Sequence, residues 1–272
     1  MQQGFEILPS YEDPPVTEVV CGILFKPLEA LLAPHLGLLW EKFKAEYSSC
    51  REVAPLAPAI ERFEGQPEVK FFFADVPPLP RIWFVRSEDN AIIQVQRDRF
   101  LHNWKKVRPE DEYPRYHKVI QMFKDHLSRF RGFLQEYQLG AIEPLQYEMT
   151  YVNHISKSNA WTKIGEIGKV FPDFCFKENE QRFLPEPEGV NWRTTFVLPD
   201  KAGRLHVTIR NAISRDRNIP ILLLELTVRG IGKDKSLEGM WPWFDLAREW
   251  IVRGFADLTS NEVQENVWRR KE

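Results

Sequence analysis

The segment from Arg81 to Lys118 contains the residue types that could bind a nucleic acid. It holds nine Lys or Arg residues against six acidic ones, interleaved with Trp, Phe and Tyr. Basic groups bind phosphates and aromatic faces stack on bases in proteins that bind single strands and RNA. The alternative, which is favoured, is that the aromatic residues pack inside a sheet and the basic residues cover its surface. The candidate binding residues are Arg97, Arg99, His102, Asn103, Trp104, Lys105 and Lys106.

Three glutamates lie inside apolar segments, a pattern that predicts buried carboxylates. Glu18 lies in VTEVV, Glu148 in QYEMTY and Glu225 in ILLLELTV. A carboxylate in such a position must face solvent or have a hydrogen-bonding or charged partner. For Glu225 the candidate partners are Arg97 and Arg210 on neighbouring strands. We therefore expect structural ion pairs, with a catalytic pair of Glu18 and Glu148 as the less favoured alternative.

Familiar catalytic and cofactor-binding motifs are not found in the sequence. It contains no GxxxxGK[ST], GxGxxG, GxSxG or HExxH pattern. No two of its six histidines are three or four residues apart, which disfavours a metal site on one helix. We therefore expect neither cofactor nor metal. If the protein is an enzyme, its site should lie between the two halves of the chain, with Glu18, Glu148 or His154 as acid or base.

The overall composition is that of a globular protein without a strong electrostatic preference. Of 272 residues, 43% are hydrophobic and 28% are charged, and the net charge is −2. Cys21, Cys50 and Cys175 form no CxxC pair, and the first residues do not resemble a signal peptide. No apolar run approaches the roughly 18–20 residues that a membrane span needs. These features predict a cytoplasmic protein that does not enter membranes.

A predicted β-hairpin is the element that presents the basic and aromatic residues. Apolar runs at residues 82–85 and 91–95 flank a cluster of turn formers, and a polar, basic exit segment follows the second run. In the second strand, Ile93 and Val95 should face one side and Gln94 the other.

Hydrophobic periodicity and turn residues predict the remaining elements. The 113–138 helix has the most regular apolar stripe and is expected to pack against a sheet. The predicted strands are 16–25, 59–63, 69–73, 145–155, 190–198, 204–213 and 219–229, and the predicted helices are 33–48, 113–138, 161–171, 241–258 and 261–268.

The order of these elements repeats along the chain at a nearly constant spacing. Glu18 and Glu148, and Tyr113 and Trp241, are separated by 130 and 128 residues. We therefore predict an α+β protein with two similar β-α-β-β-β-α halves, residues 1–140 and 141–272, packed as one compact unit. Each half should have an antiparallel sheet with helices on one face. This is the helix-over-sheet layout of TATA-binding-protein-like folds.

Several segments also resemble those of a known bacterial family. They are PPVTEVVCGILF near the start, YPRY before the long helix, and a QxQRDRFxxNW segment formed by Gln94, Gln96, Arg97, Asp98, Arg99, Phe100, Asn103 and Trp104. The family is a sporadically distributed group of proteins of similar length with no assigned function. Its patchy occurrence implies an accessory gene of the kind found in defence or toxin–antitoxin loci.

Three functions from different classes remain open at this stage. The leading hypothesis is a non-enzymatic binding protein that acts through a protein partner or as a homo-oligomer. The alternatives are a nucleic-acid-binding protein that uses the basic-aromatic hairpin, and an enzyme with its site between the halves.

Overall fold

The protein is an α+β structure built on one nine-stranded antiparallel sheet. A computed structural model describes residues 7–64, 79–157, 160–174, 176, 183–214 and 218–271. The strands are β1 (Val16–Phe25), β2 (Ser49–Val53), β3 (Arg81–Val85), β4 (Ala91–Gln96), β5 (Arg99–Lys105), β6 (Pro144–Ser156), β7 (Asn191–Val197), β8 (Arg204–Ile213) and β9 (Pro220–Gly230). The helices are α1 (Ala33–Phe43), α2 (Arg115–Glu136), α3 (Met240–Leu258) and α4 (Asn261–Asn266).

The sheet is arranged around an antiparallel pair formed by β1 and β6, which we call the seam. The strand order is β2-β3-β4-β5-β1-β6-β9-β8-β7. Going outward from β1, the strands are β5, β4, β3 and β2, and going outward from β6 they are β9, β8 and β7. The parts before and after residue 140 therefore join into one continuous sheet instead of forming two separate ones.

Three of the helices pack on one face of this sheet and enclose an aromatic core. The alternate β1 residues Val19, Cys21, Ile23 and Phe25 are fully buried on that face. The rings of Phe100 in β5 and Phe130 in α2 stack at 4.9 Å, and those of Phe43 in α1 and Phe84 in β3 lie 5.9 Å apart. In the second half, the rings of Tyr147 in β6 and Phe244 in α3 are 6.3 Å apart. The opposite face, which none of the helices in the described residues covers, is called the open face below.

Most predicted elements are present, and the differences have local causes. The first helix ends at Phe43, before the predicted residue 48, and residues 164–169 form a short 3-10 helix instead of an α-helix. Residues 59–63 are not a strand, whereas β2 was not predicted. The predicted strand at 69–73 lies outside the described residues.

The largest difference concerns the predicted exit segment of the hairpin. Residues 99–105 are a strand, β5, which pairs with both β4 and β1 in the interior of the sheet. All but the last of its residues are buried, although four of the seven are charged or polar. The polar residues of 99–105 suggested a surface segment. The sequence of one strand does not show which residues from other parts of the chain will cover it.

No helix within the described ranges has the length and apolar character needed to cross a membrane.

Candidate functional site

The candidate binding residues of the hairpin do not form one surface. Because β5 alternates between faces, His102 and Trp104 point to the helices and are buried in the core. Asn103 and Lys105, in contrast, lie on the open face together with Arg99. The predicted combination of stacking rings and phosphate-binding groups is thus divided between two sides of the sheet.

Three of the basic candidate binding residues have acidic partners. Lys105 Nζ lies 2.8 Å from Asp89 Oδ2, Arg99 Nε 3.2 Å from Asp98 Oδ1, and Arg97 Nη1 3.5 Å from Glu29 Oε2. A phosphate would have to compete with these carboxylates. Lys106 lies with Arg108 and His154 along a cleft of about 670 Å³ on the open face, next to the start of β1.

A hydrogen-bonded row of polar side chains crosses the open face and ends at Glu18. Arg81 Nη1 and Trp83 Nε1 both donate to Gln94 Oε1, at 2.8 and 3.0 Å. Gln94 Nε2 donates to Asn103 Oδ1 at 2.7 Å, and Asn103 Nδ2 donates to Glu18 Oε1. Burial raises the pKa of Glu18, while the Asn103 hydrogen bond and the nearby Lys105 lower it. The hydrogen-bond partner of the Glu18 carboxylate is thus the side-chain amide of Asn103.

Glu148 lies apart from Glu18, whereas Glu225 lies in the same cross-strand row, opposite Val152. The charge of Glu225 adds to the effect of burial and raises the pKa of Glu18. Glu148 forms an ion pair with Arg229, Oε2 to Nε, at 2.5 Å. In the register of the seam Glu18 lies opposite Val152 and Glu148 opposite Gly22. The two carboxylates are thus four strand positions apart, roughly 13 Å. They do not form a catalytic pair.

Neither predicted arginine is the partner of Glu225. Glu225 lies opposite Thr208 in β8, whereas Arg210 lies opposite Leu223 and is exposed. Arg97 is near Glu29, on the other side of the seam. In the described structure no ion pair joins Glu225 to either arginine, because both side chains are out of register with it.

Residues 54–64, here called the crossing segment, run over the opposite end of the open face from the cleft. Gln96 accepts a hydrogen bond from the Leu56 N–H at 2.9 Å, and Gln146 accepts one from the Glu61 N–H at 2.7 Å. The Glu61 carboxylate contacts Arg204 and His206. Burial alone would raise the pKa of Glu61, but the hydrogen bonds with His206 and Arg204 lower it. The segment is therefore fixed to both halves of the sheet.

We expect Gln146→Ala to release the crossing segment while leaving the sheet intact. Its amide also donates to Ala59 O at 2.8 Å, so the substitution removes two hydrogen bonds that hold this partly exposed segment. Each such hydrogen bond contributes about 0.5–1.5 kcal/mol net. Hydrogen exchange of residues 54–64 should become at least tenfold faster, roughly 1.4 kcal/mol, whereas the exposed control Gln121→Ala should leave it unchanged. Unchanged exchange in the Gln146 variant would contradict this role.

A second cavity, which we call the seam pocket, lies on the helix side of the sheet. It measures about 330 Å³ and is enclosed by residues 9–16, the start of α2, the middle of α3 and the strands β6 and β9. Its apolar wall includes Val16, Leu226, Ile251, Val252 and Phe255. Its size and apolar lining are those of a small-molecule site.

Four tyrosines line the seam pocket: Tyr11, whose hydroxyl donates to Gln264 Oε1 at 3.0 Å, and Tyr113, Tyr116 and Tyr151. The hydroxyls of Tyr113 and Tyr151 are 2.8 Å apart, and the Tyr116 hydroxyl donates to Asp245 Oδ1 at 2.7 Å. Burial raises the pKa of Tyr113 to about 12 and raises those of Tyr116 and Tyr151 as well. These three phenols are therefore neutral near pH 7.

Two arginines line the seam pocket without a carboxylate partner. Arg248 lies over the Tyr116 ring, 4.8 Å from its centroid, and Arg115 Nη2 donates to Tyr11 O at 3.0 Å. Within the described residues neither guanidinium has a carboxylate oxygen within 4.0 Å. Arg115 also has a φ of 68°, an uncommon backbone conformation for a non-glycine residue. The pocket thus has positive charge that the described side chains do not neutralise.

The two chain ends form the roof of the seam pocket. The N–H groups of Glu12 and Asp13 donate to Arg269 O and Trp268 O, each at 3.1 Å, and Lys271 N–H donates to Ser10 O at 2.9 Å. Asp13 also pairs with Arg269. Residues 10–13 and 268–271 therefore hold each other in place above the cavity.

Tyr113, Tyr116 and Arg115 belong to the basic-aromatic segment of the sequence, whereas Arg248 and Tyr151 lie outside it and carry no signal of a site. Arg248 adjoins the apolar stripe of α3, and Tyr151 lies in the middle of a predicted strand. Neither position differs in the sequence from an ordinary structural residue. Pro114, which lies between Tyr113 and Arg115, marks the start of α2 in the sequence.

Comparison with protein-family models found no match to this chain, and comparison with curated proteins found no significant match.

Proposed function

We propose that this chain is a binding protein whose seam pocket holds a small ligand with an apolar or aromatic body and an anionic group. The observation that carries the proposal is the position of Arg115 and Arg248 beside an apolar cavity with no carboxylate partner in the described structure. Arg248 is half-buried whereas Arg115 is exposed, and a half-buried positive charge is costly unless an opposite charge or a strong acceptor joins it. A carboxylate or phosphate on the ligand would provide that acceptor.

The other groups of the pocket fit the same kind of ligand. The hydroxyls of Tyr113 and Tyr151 can donate to an anion, and the tyrosine rings can stack on an aromatic body. The volume of about 330 Å³ is at the lower end of the range for ligand pockets, so the ligand should be small.

The chemistry of these groups favours binding over catalysis. Arginine keeps its charge throughout the physiological range, and Tyr113, Tyr116 and Tyr151 have raised pKa values. A general acid or base works best with a pKa near the operating pH. The central groups of the seam pocket are thus suited to fixed hydrogen bonding. A sensor of a small anion would also suit the accessory role in a defence or toxin–antitoxin locus.

We further propose that the two halves share one architecture by duplication. Outward from the seam, β5 and β9, β4 and β8, and β3 and β7 occupy equivalent places, and α2 and α3 follow the last strand of each half. This correspondence supports a TATA-binding-protein-like layout. The equivalent of β9 is thus β5, whereas a spacing of 129 residues in the sequence would relate residues 92–95 in β4 to residues 221–224 in β9.

Three probes distinguish the anionic group from the apolar body. Benzoate, phenyl phosphate and benzyl alcohol share an aromatic ring but carry a carboxylate, a phosphate or no charge. By calorimetry we expect at least one of the two anions to bind with a Kd below about 1 mM and the alcohol at least tenfold more weakly. Binding by benzoate alone or by phenyl phosphate alone would identify the anion class.

Replacement of Arg248 tests where the anion binds. Arg248→Met should weaken binding of the preferred anion by about 10- to 100-fold, because a hydrogen bond to a charged group contributes about 1.5–3 kcal/mol. Arg131→Met, on α2 outside the pocket, is the matched control and should have no effect. The proposal would be overturned if the Arg248 variant bound the anion as tightly as the wild type, or if both anions failed to bind.

A further inference from the structure

The two edges of the sheet differ in how they discourage pairing with another strand. The β2 edge carries Arg51 and Glu52 within five residues. The β7 edge has Arg193 as its one charged residue over seven positions, and its Phe196 and Val197 side chains are 42% and 53% exposed. Natural proteins commonly place charges on edge strands to prevent strand addition. The β7 edge has little of this protection.

Within the described residues, the backbone groups along the outer side of β7 have no hydrogen-bond partner. The N–H of Leu198, just beyond β7, donates to Gly203 O at 2.9 Å, so that residue faces inward along the β7–β8 hairpin. Because backbone groups alternate along a strand, Asn191, Arg193, Thr195 and Val197 direct their N–H and C=O groups outward. All four of these residues are exposed.

The sequence of β7 is self-complementary in one antiparallel register. When two copies pair around Thr194, Arg193 lies opposite Thr195 and Asn191 opposite Val197. These are the outward-facing residues, so the register forms regular hydrogen-bonded pairs. It also places Trp192 opposite Phe196 twice, and such cross-strand aromatic pairs are favourable. The equivalent pairing of β2 around Arg51 would place that arginine opposite itself, where like charges repel.

Apolar surface beside β7 would be covered by the same contact. Phe196, Leu205 and Trp250 line a groove of about 740 Å³ on the helix side of the edge. A second β7 strand, with its Trp192 and Phe196 on that side, lies directly next to this groove.

We infer that two copies of this chain associate through antiparallel pairing of their β7 strands, centred on Thr194, to form a continuous sheet through both copies. The interface is isologous, as in most homodimers. This inference does not depend on the seam pocket, which lies at the β1–β6 seam.

The oligomeric state of the full chain tests the inference through the backbone. In sedimentation velocity between roughly 1 and 100 µM we expect a dimer whose dissociation constant rises at least tenfold in Thr195→Pro. Proline removes an outward N–H in each copy and leaves the backbone bonds to β8 unchanged, while the contact of the Thr195 hydroxyl with His206 is lost equally in the alanine control below. Thr195→Ala keeps that N–H and should dimerise like the wild type. A wild-type monomer at all concentrations, or unchanged dimerisation of the proline variant, would overturn the inference.

A cross-linking variant keeps the test decisive if Thr195→Pro does not fold. The two copies of Thr194 would form a non-hydrogen-bonded pair with Cα atoms about 4.5 Å apart, within the range of a disulfide. In a background with Cys50→Ser and Cys175→Ser, Thr194→Cys should give a covalent dimer under mild oxidation. Ser49→Cys on the β2 edge should not. Absence of the Thr194→Cys dimer, or an equal yield from both edges, would exclude the β7 pairing.

Discussion

The free energy of unfolding is expected to fall steeply as the pH drops from 6.5 towards 4, because two histidines are buried in the core as neutral rings. His102 in β5 is fully buried, and its ring centroid lies 4.9 Å from that of His126 in α2. Burial lowers the pKa of His126 to about 4, and burial together with the neighbouring His126 lowers that of His102.

The direction of this pH effect follows from the folded and unfolded pKa values. The unfolded chain binds protons on both histidines near pH 6.5, whereas the folded chain does not. Stability from these residues is therefore complete above about pH 6.5 and is lost as the pH falls towards the folded values. One pKa unit corresponds to about 1.4 kcal/mol, so His126 alone accounts for about 3 kcal/mol.

The charged groups around the pair do not reverse this direction. Glu46 and Asp125 raise the pKa of His126, while Arg129 and Arg86 lower it, and burial remains the largest effect. The one hydrogen-bonding neighbour of the His126 ring is the Tyr47 hydroxyl, 3.3 Å from Nε2. Within the described structure neither ring nitrogen of His102 has a hydrogen-bond partner.

The experiment compares unfolding by urea at pH 7.5, 6.0 and 5.0. A variant with His102→Leu and His126→Leu should lose most of the pH dependence, whereas the exposed control His117→Asn should keep it. Comparison of variants is required because Glu61, whose pKa is lowered, also loses its stabilising contribution as the pH falls. A double variant with the wild-type slope would show that the histidines are not responsible.

The sequence predicts the regular elements well because their periodicity is local. The alternation of Ile93 and Val95 with Gln94 is observed in β4, and the stripe of α2 is buried as predicted at Tyr116, Phe123 and Phe130. The repeated order of elements also leads to the correct α+β class. These features depend on residues two to four positions apart, which a single sequence displays directly.

The parts of the molecule that the sequence does not reveal depend on long-range contacts. Asn103 of β5 can be buried because Gln94 and Glu18, from two other strands, complete its hydrogen bonds. The seam pocket brings together Arg115 and Arg248, which are far apart in the chain. Its roof requires residues 10–13 to pair with the last residues of the described chain. None of these contacts leaves a periodic pattern.

Replacement of Phe123 by alanine is expected to destabilise both halves of the molecule together. Phe123 is fully buried in α2, and its ring centroid lies 5.5 Å from that of Phe244 in α3 and 6.4 Å from that of Phe100 in β5. It therefore connects the principal helix of each half with the sheet. Truncation of a buried phenylalanine costs about 3–5 kcal/mol.

The same variant tests whether residues 1–140 and 141–272 unfold as one unit. The seam joins them through backbone pairing along nearly the whole of β1, and Phe123 joins them through the helices. We therefore expect one cooperative urea transition in the wild type and in Phe123→Ala, with faster hydrogen exchange in both halves of the variant. The conservative control Phe123→Leu should cause a smaller loss, because it leaves a smaller cavity. Two separate transitions, or faster exchange confined to the first half, would show that the halves are independent folding units and that the seam contributes little to their coupling.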